Sequence, residues 1–241
     1  MFKRIAQTAG FAGLLAAIVL TLLQSLWVTP LILQAETYEN SAPTEAVVAE
    51  HSHAAATPEH SHAAVAGHSH DAEAWAPEDG WQRTLATGLS NLVVAVGFAL
   101  MLAGLFTLRA PGQTWQGLLW GLGGFATFSL APSAGLQPEL PGTAAAELLL
   151  RQYWWIGTAV ATAAGLGLLA FARHWALRIV GVLILAIPHL IGAPQPEVHS
   201  SLAPEALEHE FILASLLTNA LFWSALGLAA AWFYTRPQQS A

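Results

Sequence analysis

The chain has 241 residues, of which 55% are hydrophobic and only 10% charged, and its formal net charge is −7 with no cysteine. A soluble domain usually has about a quarter of its residues charged, so this composition excludes an ordinary soluble fold and points to a membrane protein. The acidic balance argues against nucleic acid as a partner and attracts cations instead.

A hydrocarbon core of about 30 Å needs roughly 17 to 25 apolar residues in a helix. Six runs meet that requirement: Ile5 to Val28, Thr84 to Leu108, Trp115 to Ala131, Tyr153 to Phe171, Trp175 to Ile191, and Phe211 to Tyr234. The expected fold is an all-α integral membrane protein of about six transmembrane helices. Its predicted organisation is a first helix over 1–28, an external loop over 29–83, and a five-helix region over 84–241.

The first run follows Lys3 and Arg4, as a secretory signal would. Its apolar stretch exceeds the usual signal length of about 7 to 15 residues, and no small-x-small cleavage site follows Val28, so it reads as a retained helix. In "QAETYEN", Glu36 and Glu39 share a face if that helix continues beyond the membrane.

The segment from Thr29 to Arg83 is the longest loop and contains "HSHAAATPEHSHAAVAGHSH". Its bias toward Ala, His, Glu and Pro lacks the apolar content to pack on its own, and it is expected to be largely disordered. His51, His53, His60, His62, His68 and His70 form three His-Ser-His triplets. Neutral imidazole ligates divalent Co, Ni, Cu and Zn, and each triplet is a weak bidentate site. Nearby Glu45, Glu50, Glu59, Asp71 and Glu73 favour metal capture over an inert spacer. The absence of cysteine and the presence of only two methionines argue against soft Cu(I) as the cargo.

Further along, "AWAPEDGWQRT" reads as a helix start or tight turn at Pro77, Glu78 and Asp79, with Trp75 and Trp81 as interfacial anchors. The third and fifth runs are the shortest. In the third, Gly117, Gly121, Gly123 and Gly124 permit close packing on a neighbouring helix. Glu147 and Arg151, four apart, are expected to pair, and Trp154 and Trp155 fit the interfacial aromatic belt.

The fifth run ends in "AIPHLIGAPQP", where Pro188 removes a backbone donor and is expected to leave carbonyls unpaired beside His189. That makes His189 a candidate ligand near the outer boundary. "APEALEHEF" opens the sixth run, and helical spacing places Glu205, Glu208 and His209 on one face as candidate metal ligands. Acids in this position also stabilise a helix N-terminus.

Lys3, Arg4, Arg109, Arg173, Arg178 and Arg236 fall on one side of this arrangement and Arg83 and Arg151 on the other. The positive-inside rule therefore puts both termini in the cytoplasm and the His-rich loop, between helices 1 and 2, outside. No G-x-x-x-x-G-K-[ST] loop, Ser-His-Asp set or H-E-x-x-H motif is present, so no enzyme activity is expected. An inside-negative potential of 100 mV supplies about 4 to 5 kcal/mol to a divalent cation moving in.

The basic-tipped first span, "ETYE", the His-rich loop, "WAPEDGWQRT", "LAPSAGLQPELPG", "RQYWW" and "PHLIGAPQP" together resemble the CbtA family of predicted cobalt transporter subunits over nearly the whole chain. The resemblance implies cobalt uptake linked to cobalamin synthesis at a bacterial inner membrane, with a small single-span companion subunit of the CbtB type. It implies Co2+ as cargo, while the imidazole ligands leave Ni2+ or Zn2+ as alternatives, and no permanently bound cofactor is expected. Beside the lipid bilayer, the expected partners are the ion and that companion. The competing expectation is a metal-binding or sensory membrane protein that transports nothing.

Overall fold

The structure is a computed structural model, and it describes residues 1–41 and 77–236. Among the described residues the secondary structure is helical, apart from one isolated bridge between Thr143 and Ser201. The His51–His70 tract lies outside the described residues.

The first helical run comprises α1 (Phe2–Leu23), a π-helical segment at Gln24–Val28, and α2 (Thr29–Ser41). It covers 40 residues, roughly 60 Å of helix, and so continues well past the Val28 boundary expected from hydropathy. Pro30 is the reason for the π segment. It has no N–H to donate, and its ring crowds the carbonyl four residues back. The chain widens by one residue there, and the Thr29 N–H bonds the Gln24 carbonyl five residues back. A second widened turn, Ala126–Leu130, lies between α4 (Gln116–Phe125) and α5 (Ala131–Ser133), just before Pro132. There the Ala131 N–H bonds the Ala126 carbonyl.

The other helices are α3 (Trp81–Leu108), α6 (Leu148–Phe171), α7 (Trp175–Ile191) and α8 (Glu205–Thr235). Asp79 and Gly80 form a turn before α3, as "PEDG" suggests. Among the described residues four helices are long and apolar enough to cross a membrane: Phe2–Ser41, α3, α6 and α8. The shortest predicted runs correspond to α7, with 17 residues, and to the stretch from α4 through α5 that the π segment interrupts.

Packing relies on small residues, since lipid removes the usual apolar drive for helix association. α1 lies against α3, with Gly13 directly over the Val96 backbone. α4 lies against α8, where Gly117 and Gly121 meet the backbone of Gly227 and Trp223 so closely that any Cβ would collide. The glycine expectation holds for these two positions and for Gly124, which the Trp223 ring covers, whereas Gly123 faces open space. α6 and α7 meet through Gly165 and Gly181. The main core joins Ala9, Ala12, Ala16, Ala95, Ala99 and Phe106 to Phe222, Trp223 and Leu226 of α8. Phe128 stacks on Trp223, with centroids 5.6 Å apart.

The helix ends sort by charge. At one end Arg4 donates to the Tyr234 carbonyl, Arg109 covers Phe171, and Arg178 donates to the Ala172 carbonyl at 3.1 Å. At the other end lie Glu36, Asp79, Glu139, Glu205 and Glu208, near a smaller core of Leu31, Ala35, Leu140, Ala203, Leu207 and Phe211.

Candidate functional site

The acidic end holds a cavity of about 610 Å³. Two loops, residues 134–147 and 192–204, close over the start of α8 to form it. They are joined by the bonds from Ala144 N–H to the Ser200 carbonyl, 2.9 Å, and from Leu202 N–H to the Gly142 carbonyl, 3.3 Å. Gly142 adopts φ +79°, a left-handed conformation, and Leu202 packs directly on it. Gln195 donates to the Gly135 carbonyl at 3.2 Å. Leu140 and Ala203 anchor the loops by burying their side chains in the smaller core.

Glu139, His199, Glu205 and Glu208 carry the ionisable chemistry of the cavity wall. Arg151 bonds Glu139 at 2.6 Å and neutralises it. This corrects the expected Glu147–Arg151 pair. Glu147 is instead the residue that caps α6, and its backbone carbonyl accepts from the Arg151 N–H. His199 contacts the Gln195 amide oxygen at 3.3 Å. Glu208 is half-buried and Glu205 exposed, and among the described residues neither meets an arginine or lysine. The volume admits a divalent ion with its inner water shell, since six waters occupy about 180 Å³ at about 30 Å³ each. Among the described residues no three His, Asp or Glu side chains are gathered closely enough to hold a dehydrated ion. The arrangement suits electrostatic attraction and partial ligand exchange on a hydrated cation.

The structure separates the residues singled out from the sequence. Glu205 and Glu208 line the cavity, whereas His209 is exposed on the outer side of α8, with its Nε2 3.4 Å from Glu205. Glu36 and Glu39 do lie on the helical continuation of the first run, as expected. Glu36 is held by Arg83 through contacts of 2.5 and 3.1 Å, and Arg83 also bonds Asp79 at 2.8 Å. That cluster fastens α2 to the start of α3. Glu39 is exposed. His51, His53, His60, His62, His68 and His70 lie outside the described residues.

His189 is exposed and stands edge-on to Trp154, with ring centroids 6.1 Å apart. The Trp154 indole lies over Gly135 on the cavity wall, and His189 does not itself line the cavity. The Pro188 carbonyl accepts from both Trp154 Nε1 at 3.2 Å and the Gly192 N–H at 3.0 Å. Sequence reasoning missed Glu139 and His199 as site residues. "PELPG" contains the first of these, but nothing local marks the second.

The family model described as "Probable cobalt transporter subunit (CbtA)" matches residues 2–235. No curated protein and no solved structure matches the chain.

Proposed function

The chain belongs to the CbtA family of probable cobalt transporter subunits, and from that membership we propose that it carries Co2+ inward across a bacterial inner membrane. In this reading the acidic end faces outward and both termini are cytoplasmic. The predicted six runs all cross, with α7 and the α4–α5 stretch as the two short passages. The tract from His51 to His70 concentrates the ion, and the cavity then receives it.

The observation that carries the reading is the cavity itself, walled by Glu205 and Glu208 with no arginine or lysine bonded to either among the described residues. Negative potential at the mouth of a membrane protein raises the local concentration of a cation, and carboxylate oxygens exchange readily with its water ligands. Glu39 and His209, both exposed at this end, extend the attracting surface. His189 enters the scheme as a ligand outside the cavity, beside Trp154. The energy comes from the membrane potential or from the companion protein. Ni2+ and Zn2+ share enough chemistry to compete.

Radioactive cobalt uptake into cells expressing the chain, with and without its single-span companion, tests the proposal. Accumulation above the background of cells lacking the chain supports it. Cobalt bound at the surface and removed by an impermeant chelator, with none inside, would leave a metal-binding or sensory protein.

A further inference from the structure

Beneath the cavity, α8 carries polar residues where the membrane interior would favour apolar ones. Glu208, Ile212, Ser215 and Asn219 follow one another at i, i+4, i+7 and i+11 and therefore lie along one helical face. The first two line the cavity, so Ser215 and Asn219 continue its wall inward. Asn219 is roughly 20 Å along α8 from Glu205, deep in the span.

The facing element is the second π segment. Ser129, within it, donates to the Asn219 side-chain oxygen over a long 3.5 Å, and the Asn219 amide donates to the Ser215 carbonyl at 2.9 Å. Ser133, one turn nearer the cavity, donates to the Ser129 carbonyl at 2.5 Å, and the next residues, Ala134 and Gly135, belong to the cavity wall. Beside Asn219, Thr218 is fully buried and its hydroxyl has no partner among the described residues. Polar side chains at this depth are expensive in hydrocarbon and usually mark a path for a polar solute. π-Helical turns gather at functional sites because they displace side chains and carbonyls from the regular ladder.

We infer that the face formed by Ser133, Ser129, Ser215 and Asn219 is the path by which a hydrated divalent cation leaves the cavity toward the other side, with the Ser129–Asn219 contact as its narrowest point. This rests on the transport reading above. Neutral hydroxyl and amide oxygens suit such a place. They replace part of a water shell while binding weakly enough to release the ion, which a carboxylate pair would hold. The long Ser129–Asn219 contact joins two different helices, so it can part without breaking either helix.

Because the chain has no cysteine, single substitutions report cleanly. Ser215→Cys and Asn219→Cys in the full chain, in native membranes, are treated with a cationic, membrane-impermeant methanethiosulfonate. Leu213→Cys and Leu217→Cys, at exposed positions on the same helix, serve as controls. The two polar-face variants are expected to react at least tenfold faster than the controls. Equal rates at all four positions would overturn the path. Added Co2+ is expected to slow labelling at Asn219→Cys. Fast labelling that cobalt leaves unchanged would support a hydrated path and overturn cobalt as its occupant, so the route and the proposed cargo fail separately. With membrane abundance unchanged, Asn219→Leu should lose cobalt uptake and Asn219→Ser should keep most of it. Normal uptake by Asn219→Leu would overturn the constriction.

Discussion

Glu36 and Glu208 are both glutamates at the acidic end, but among the described residues only the first is held by an arginine. A carboxylate with a bidentate guanidinium partner is neutralised and fixed in place, whereas one without is available to an incoming ion. Glu208→Gln is therefore expected to reduce cobalt uptake several-fold at low metal, more than His189→Leu does, because Glu208 lines the cavity and His189 does not. Uptake assays on the two variants side by side test that ranking, and a larger loss in His189→Leu reverses it. Arg83→Ala strands Glu36 and should destabilise the protein by about 1 kcal/mol, a modest value because the pair is partly exposed. Thermal unfolding in detergent measures it. Glu205 and Glu208 could be picked out from the sequence because helical spacing is a local property. Glu139 and His199 reach the same cavity only because two loops far apart in the chain are bonded together, and no local pattern encodes that meeting. Arg151 had two acids within reach, and helical spacing pointed to Glu147 while the loop fold brought Glu139 closer to its guanidinium.

The seam between α4 and α8 depends on glycines that touch backbone. Gly121→Leu has no free volume to occupy, so it is expected to separate the helices, cost about 1 to 3 kcal/mol or more, and lower membrane abundance. Gly123→Ala meets nothing within 4 Å and should behave as wild type in the same abundance and melting measurements. The glycine pattern revealed a close helix contact but not its partner, since Gly227 lies more than a hundred residues away. The ends drawn by hydropathy are more instructive. Val28 and Ala131 end apolar runs, yet each falls at a widened turn ahead of a proline, after which the first helix continues to Ser41 and the second to Ser133. Hydropathy counts residues and cannot register a change in hydrogen-bond period.

For the whole molecule, charge separation makes a sidedness prediction. In intact cells Glu39→Cys should react with an impermeant thiol reagent, while Gln113→Cys, in the connection between α3 and α4 at the basic end, should react only after lysis. The reverse pattern would invert the orientation. Replacing the six tract histidines by alanine is expected to reduce uptake at scarce cobalt and spare it at abundant cobalt. Loss at every concentration would make the tract part of the passage itself. The class of fold was evident from composition, and the six apolar runs all became helical. Whether the two short ones cross was not, because 17 residues lie at the lower limit of what a bilayer requires. The way those short elements are mounted has a mechanical result. α7 rests chiefly on α6, and among the described residues α6 meets the remaining helices mainly through α4, α5 and the second π segment, with Arg109 at the end of α3 covering Phe171. A pair of rods fixed along one side is stiff to compression but soft to swinging about that side. That swing is restrained at the acidic end: the α6–α7 hairpin turns at residues 172–174, and the loop over 192–204 is bonded to the loop over 134–147 and runs directly into α8. The same strap therefore yokes the hairpin to α8, so the cavity mouth is braced on both sides by chain that returns to the glycine seam.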